Sequence, residues 1–303
     1  MTLLAGLVLA VVATNSWAGV HSQKTNEAAV TENIAAPFLE SHGSTKVRVH
    51  LPSGYDASRP ETYPIVFFLH GWGENEGAFD ELGGPTHLAN LPNSLQPIIV
   101  AVDGATSGYM DWADEKHRWE SHLLKSIIPT IVRKYRGDVS RIALYGVSMG
   151  GEAALRLAMS HPSQFSCVAA HYAALSNPEF DTLPEWQRNG YLQMADFAAR
   201  FGQPFNSVHW KKNNALHLAQ TVNAEDLRTI SFFFDVGRDD RLGFDEGAAS
   251  LSATFSRRDI PHTFALRNGD HAGDFMARYG GEAVRFLASC LAAPTEKGLR
   301  SSG

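Results

Sequence analysis

"RIALYGVSMGGEAALRLAMSHP", residues 141–162, sets a polar serine between glycines where an apolar run gives way to a helical pattern. Arg141–Gly146 reads as a buried strand and the segment from about Met149 as a helix, which leaves Ser148 on the turn between them. Gly146, Ser148 and Gly150 make the pattern G-x-S-x-G. A sharp strand-to-helix turn forces such a serine into a strained backbone conformation, and the residues two before and two after it must be small if strand and helix are to approach. The turn also puts Ser148 at a helix N-terminus, where unpaired N–H groups and the helix dipole favour developing negative charge. The bare pattern would arise by chance in roughly one chain in ten of this length. The strand-turn-helix setting is what gives it weight.

The same alternation runs through the rest of the chain. "TKVRVHLP" at 45–52 alternates apolar and polar residues as a half-buried strand does, while "YPIVFFLHG" at 63–71 and "QPIIVAVDG" at 96–104 are continuous apolar runs ending in turns. Runs of that kind suit strands covered on both faces. Between His117 and Tyr135 the apolar residues fall at helical spacing. "CVAAH", "ISFFFDVG", a helix, "HTFALRNG" and a final helix over about 272–292 follow. Strand then helix, repeated, predicts an α/β architecture with a mostly parallel sheet and helices on both faces.

A serine hydroxyl becomes a useful nucleophile when a histidine takes its proton and a carboxylate orients the histidine. In a fold of this kind the partners are expected in the order serine, acid, histidine, each just past a strand. "ISFFFDVG" is followed by Arg238-Asp239-Asp240, and "HTFALRNG" by Asp270-His271. His271 is therefore the expected base. Asp240 is preferred to Asp239 as the acid because it lies farther past the strand end, and Asp239 stays open; Asp235 and Asp239 are also readable as structural carboxylates. The oxyanion of a tetrahedral intermediate requires two N–H donors. Met149, directly after the nucleophile, supplies one, and Trp72, between Gly71 and Gly73 in "FFLHGWG", is the expected second. His70, at a strand end before glycine, reads as a structural hydrogen-bonder.

With 303 residues, 44% hydrophobic and 19% charged, the chain is long enough for one large core, and no linker or repeat divides it. A net charge of -6 offers no basic surface for nucleic acid or anionic lipid. "MTLLAGLVLAVVATNSWAGV" carries an apolar run followed by Ser16-Trp17-Ala18, small residues at the sites a signal peptidase requires, although no Lys or Arg precedes the run. The domain expectation is a signal peptide at 1–18, a flexible leader at 19–44, a catalytic domain at 45–292 and a disordered tail at 293–303, with secretion or export to a periplasm and no stable membrane partner after cleavage. An uncleaved anchor is the alternative. Cys167 and Cys290, in "FSCVAAH" and "FLASCLAAP", are the only cysteines. Their apolar settings favour two buried thiols, and export leaves a disulfide open. The histidines show no metal-ligand spacing and no phosphate-binding glycine loop appears, so neither metal nor cofactor is expected.

"FFLHGWG", "AVDG" with "YMDW", "YGVSMGGEAALRLAMSHPSQF", "FGQPFNSVHWKKNNALHLA", "FFDVGRDDRL" and "RNGDHAGDF" occur in one order. Together they resemble the "putative esterase" family of α/β-hydrolases, which includes feruloyl and acetylxylan esterases, tributyrin esterase, S-formylglutathione hydrolase and the mycolyltransferases. The resemblance covers about residues 45–290. It implies an α/β-hydrolase fold, Ser148 as nucleophile, Asp240 as orienting acid (Gly237-Arg238-Asp239-Asp240 matches the family's Gly-x-x-Asp), His271 as base, and Trp72 and Met149 as oxyanion donors. Two features depart from it. Glu152 follows the glycines where relatives often carry another residue, and Trp72, Tyr109 and Trp112 form an aromatic cluster with no single family assignment, expected to contact substrate.

The implied activity is a serine carboxylesterase acting on short acyl or aryl esters, free or carried on polysaccharide, such as feruloyl or acetyl groups. An acyltransferase with the same triad, a thioesterase for S-formylglutathione and a non-catalytic binding module are the alternatives. Residues 176–225 read as a helical insertion over the strand ends, where specificity would reside. Its Trp186, Tyr191 and Trp210 are expected to form the insertion's own small core in preference to a pocket wall.

Overall fold

The computed structural model describes residues 29–292. The expected signal peptide and C-terminal tail lie outside the described residues, as does the first part of the expected leader.

Eight strands form one sheet: β1 (Val30–Ala35), β2 (Ser44–His50), β3 (Tyr63–Leu69), β4 (Ile98–Val102), β5 (Gly137–Val147), β6 (Cys167–His171), β7 (Ser231–Gly237) and β8 (His262–Arg267). Their spatial order is β1-β2-β4-β3-β5-β6-β7-β8. β1 and β2 pair antiparallel, as do β2 and β4, and all other neighbours are parallel. The continuous apolar runs become the central strands. Consecutive residues such as Phe67, Phe68 and Leu69 point to opposite faces and all are buried, so both faces of the sheet are covered. β2, at the side, keeps the alternating burial its sequence announces.

The expected leader at 19–44 is corrected from Val30 onward, where the chain forms β1 and Glu32 takes hydrogen bonds from Lys134 (2.6 Å) and Tyr135 (2.7 Å). Only Ile34 of this edge strand is buried. One apolar anchor leaves no period-two signal, and backbone pairing with β2 holds the strand instead. The helical pattern after His117 is realised as Trp119–His122, a π-helical turn at Leu123–Ile127, and Ile128–Lys134.

Register aligns the strand ends that matter. Leu69 lies opposite Gly146, Val147 opposite His171, His171 opposite Asp235, and Gly237 opposite Arg267. The loops after β3, β5, β7 and β8 therefore leave one edge of the sheet side by side, the usual place for a site in an open parallel sheet. The elbow helix Met149–Ser160 and the C-terminal helix Gly273–Ala292 both pack on β6.

Cys167 at the start of β6 is disulfide-bonded to Cys290 of the C-terminal helix, 123 residues away, which replaces the expectation of two buried thiols. The bridge ties the helix that follows His271 to a central strand of the sheet. Among the described residues no helix is long and apolar enough to cross a membrane.

The insertion folds as short helices, among them Glu185–Leu192, Phe197–Phe201, Ser207–Lys212 and Ala215–Thr221. Phe180, Leu183, Phe201 and Trp210 make its small core with Met110, and Tyr191 packs against it. Trp186 stays outside, exposed.

Candidate active site

Ser148 has φ +52° and ψ −117°, a conformation unfavourable for any residue with a side chain. The surrounding glycines make it possible. A Cβ on Gly146 would lie 2.1 Å from the carbonyl oxygen of Gly150, and one on Gly150 would lie 2.0 Å from that of Leu69. Two backbone bonds hold the turn: the Ser148 N–H donates to the His171 carbonyl (3.1 Å) and the Ala174 N–H to the Ser148 carbonyl (3.0 Å).

The serine hydroxyl lies 2.8 Å from Nε2 of His271, and Nδ1 of His271 lies 3.0 Å from Oδ2 of Asp240. An ionised carboxylate only accepts, so Nδ1 carries the proton and Nε2 is free to accept from Ser148. The other Asp240 oxygen accepts the Leu242 N–H at 2.9 Å. The Asp240 side chain is fully buried, whereas Asp239 is exposed. Of the two acids left open by the sequence, Asp240 is the one that reaches the imidazole. Phe244 and Tyr172 flank the His271 ring, Tyr172 edge-on at 4.8 Å. Burial pushes the Tyr172 phenol above its ordinary range, with Glu74 and Asp235 adding to the effect. It stays neutral beside the imidazole.

Asp270 latches the two loops that carry the pair. Its Oδ1 accepts the N–H groups of His271 (2.6 Å) and Arg241 (2.8 Å), and its Oδ2 takes the Arg241 guanidinium at 2.6 Å. Slight burial acts to raise its pKa, and these bonds outweigh that and hold it below the ordinary value. Beneath the site lies a second, wholly buried pair: His171 Nδ1 to Asp235 at 2.5 Å, with Nε2 to the Tyr145 hydroxyl at 2.8 Å. It fixes the end of β6, whose last carbonyl holds Ser148.

The loop after β3, where the sequence leads one to expect an oxyanion donor, borders the serine turn. A Cβ on Gly71 would lie 3.5 Å from that of Ser148, so this loop runs beside the serine. The Gly71 N–H is taken by Glu74 at 2.7 Å. Met149 is the first residue of its helix, and its N–H is one of those without an intrahelical partner. His70 is fully buried, with Nδ1 bonded to the Gly71 carbonyl (2.7 Å) and Nε2 accepting the Gly104 N–H (3.0 Å), so both its ring nitrogens serve the backbone.

The aromatic cluster divides. Tyr109 is 1% exposed, its hydroxyl accepting the His70 N–H and donating to the Val102 carbonyl, so the expectation that it contacts substrate is corrected. Trp112 is half-buried: its ring lies 4.4 Å from the Arg200 guanidinium and 4.5 Å from the His117 ring, and its N–H goes to the Ser107 carbonyl. Trp72 is the most open of the three to solvent. Glu152, one turn after Ser148, accepts the Ala215 N–H (3.1 Å) and lies 3.5 Å from Arg156, anchoring the insertion to the elbow helix. Burial raises its pKa against the pull of that guanidinium.

A doubly wound sheet that gathers a serine on a strained turn, an imidazole and a buried carboxylate at its strand ends defines a serine ester hydrolase of the α/β-hydrolase fold. The chain belongs to the family described as "Putative esterase", whose model matches residues 40–284. It is 23% identical over 271 residues to S-formylglutathione hydrolase of Bos taurus, covering 81% of this chain and 89% of that protein. It is 30% identical over 141 residues to an endo-1,4-beta-xylanase/feruloyl esterase of Xylanibacter ruminicola, covering 42% of this chain but only 19% of that longer protein. Among solved structures it resembles a ferulic acid esterase (TM-score 0.71, 23% identity, 87% of this chain and 98% of that one). It likewise resembles an S-formylglutathione hydrolase from Agrobacterium tumefaciens (TM-score 0.70, 19% identity, 86% and 95%).

Proposed function

We propose that this chain is an exported serine carboxylesterase that cleaves short acyl or aryl esters, including esters carried on polysaccharide, through an acyl-enzyme on Ser148. The observation that carries the reading is the continuous relay from Ser148 Oγ through His271 to Asp240, at 2.8 and 3.0 Å, on a turn strained at the serine. His271 Nε2 takes the serine proton as Oγ attacks the ester carbonyl. The N–H groups of Met149 and Trp72 receive the oxyanion, and Asp240 stabilises the imidazolium. Collapse expels the alcohol, protonated by His271, and water activated by the same imidazole releases the acid.

Polysaccharide-linked esters are favoured by the feruloyl esterase likeness, and export by the apolar N-terminal run together with the Cys167–Cys290 bridge, since cytosolic thiols stay reduced. The likeness to S-formylglutathione hydrolase supports a second reading as a thioesterase. The disulfide weighs against it, because glutathione thioesters belong to reducing compartments. The test is turnover of nitrophenyl acetate, butyrate and octanoate, methyl ferulate and S-formylglutathione by protein from Gly19 onward, beside Ser148→Ala. Oxygen-ester turnover that falls by several orders of magnitude in the variant supports the proposal. A preference for the thioester moves the second reading forward, and a variant that keeps the wild-type rate contradicts both.

A further inference from the structure

Trp72 is 45% exposed, although it belongs to the loop that runs beside Ser148. What distinguishes it is the group beneath it. Arg200, from the insertion helix Phe197–Phe201, is 3% exposed, and its guanidinium carbon lies 5.4 Å from the centre of the Trp72 ring and 4.4 Å from that of Trp112. Asp196 accepts from Nε at 2.8 Å and from Nη2 at 2.6 Å, and Thr106 Oγ1 lies 3.4 Å from Nη2. The backbone is fastened too, because the N–H groups of Ala113 and Asp114 donate to the carbonyls of Arg200 and Ala199 at 3.1 and 3.0 Å.

A guanidinium so neutralised and so enclosed is poorly placed to bind a substrate anion. Its planar cation fits the faces of two indoles, an attraction that strengthens when the cation is removed from water. The effect is to hold Trp72 in one orientation at the edge of the oxyanion loop while nearly half its surface stays in solvent. An aromatic side chain fixed before binding loses little freedom when it takes a ligand. Its flat apolar surface favours a flat partner.

We infer that the Trp72 indole, braced by Arg200, is a stacking platform for a ring carried by the ester, and that the pair sets a preference for ring-bearing over aliphatic esters. This rests on the esterase reading above. The ring is either an aromatic acyl group or the sugar that bears the acyl group, since both present a flat C–H or π face.

The test compares kcat/KM on methyl butyrate, which has no ring, methyl ferulate, with a ring on the acyl side, and an O-acetylated methyl xylopyranoside, with a ring on the alcohol side. Wild type, Trp72→Phe, Trp72→Ala and Arg200→Lys are measured, with thermal melting of each. The ratio of ring-bearing to ringless kcat/KM is expected to fall about ten-fold in Trp72→Ala, to be largely kept in Trp72→Phe and to fall about three-fold in Arg200→Lys, mainly through KM. Whichever ring-bearing ester shows the fall names the ring. A loss in kcat shared equally by all three esters would mean that Trp72 acts only through its backbone N–H, and would overturn the inference. So would an unchanged ratio in Trp72→Ala. Wild-type protein inert on all three esters would overturn the esterase reading and the inference with it, whereas an active enzyme with an unchanged ratio overturns the inference alone.

Discussion

Replacing Asp240 by asparagine tests the relay at its most buried point. Wild-type Asp240 offers one oxygen to the Leu242 N–H (2.9 Å) and the other to His271 Nδ1 (3.0 Å). An asparagine must satisfy the same Leu242 donor, so its oxygen takes that position and its NH2 turns to the imidazole. Nδ1 then has to accept, the proton moves to Nε2, and Ser148 loses its base. The imidazolium formed during attack also loses its counter-charge. At 3–4 Å and an effective dielectric constant near 20, that attraction is worth about 4 kcal/mol, or roughly a thousand-fold. Little water screens it, because the side chains of His271 and Asp240 are 11% and 0% exposed. Together the two effects predict a fall in kcat of about 10³ to 10⁴ on nitrophenyl butyrate. Asp239→Asn, altering an exposed side chain, is expected to change kcat by less than about two-fold. A kcat for Asp240→Asn above about a tenth of wild type, in protein that melts normally, would mean that Asp240 neither sets the tautomer of His271 nor balances its charge. Equal losses in the two variants would mean the same.

Other consequences can be measured on the same protein. Gly150→Ala drives a Cβ to 2.0 Å from the Leu69 carbonyl oxygen, a backbone atom that cannot step aside, and should lower stability by about 3 kcal/mol or more; a melting temperature within 2 °C or so of wild type would contradict this. The Cys167–Cys290 bridge closes a loop spanning 123 residues, so Cys167→Ser/Cys290→Ser should cost about 2–5 kcal/mol and about 5–15 °C in melting temperature, checked by calorimetry under non-reducing conditions. Burial alone would raise the Glu120 pKa, but His161 and Arg156 hold it down at about 2. Because the folded pKa lies below the unfolded one, the stabilisation is complete above about pH 4.5 and disappears as pH falls toward 2, and Glu120→Gln should flatten that part of the stability curve. An unchanged slope would mean that the buried pair with Arg156 contributes nothing.

Much of this was legible in the chain because it depends on short-range pattern. The central strands announce themselves as unbroken apolar runs, and the elbow as small residues wherever the backbone crowds within 2.1 Å. The order Ser148, Asp240, His271 follows from connectivity, so each residue could be sought just past a strand. The edge strand at Val30–Ala35 was hidden because a single buried side chain, Ile34, makes no period. The disulfide was obscured by apolar settings that suit a free thiol equally well. The burial of Tyr109 leaves no mark in the sequence, because an aromatic residue in a loop looks the same there whether its faces meet solvent or other side chains. Arg200 carried no signal at all: its place between Trp72 and Trp112 depends on how the insertion docks on the loop at 106–114, a contact between distant parts of the chain. The buried His171–Asp235 pair escaped for the same reason, because strand register and not sequence proximity makes those residues neighbours.

The central claim is that Ser148 becomes acylated. Its most direct test is intact-protein mass spectrometry after brief exposure to nitrophenyl butyrate and acid quench, with peptide mapping of the adduct. One added butyryl group on Ser148, absent from Ser148→Ala and accumulating in His271→Ala much more slowly than in wild type, is the predicted result. Turnover of the ester with the acyl group on another residue, or an equal adduct in Ser148→Ala, would contradict the account.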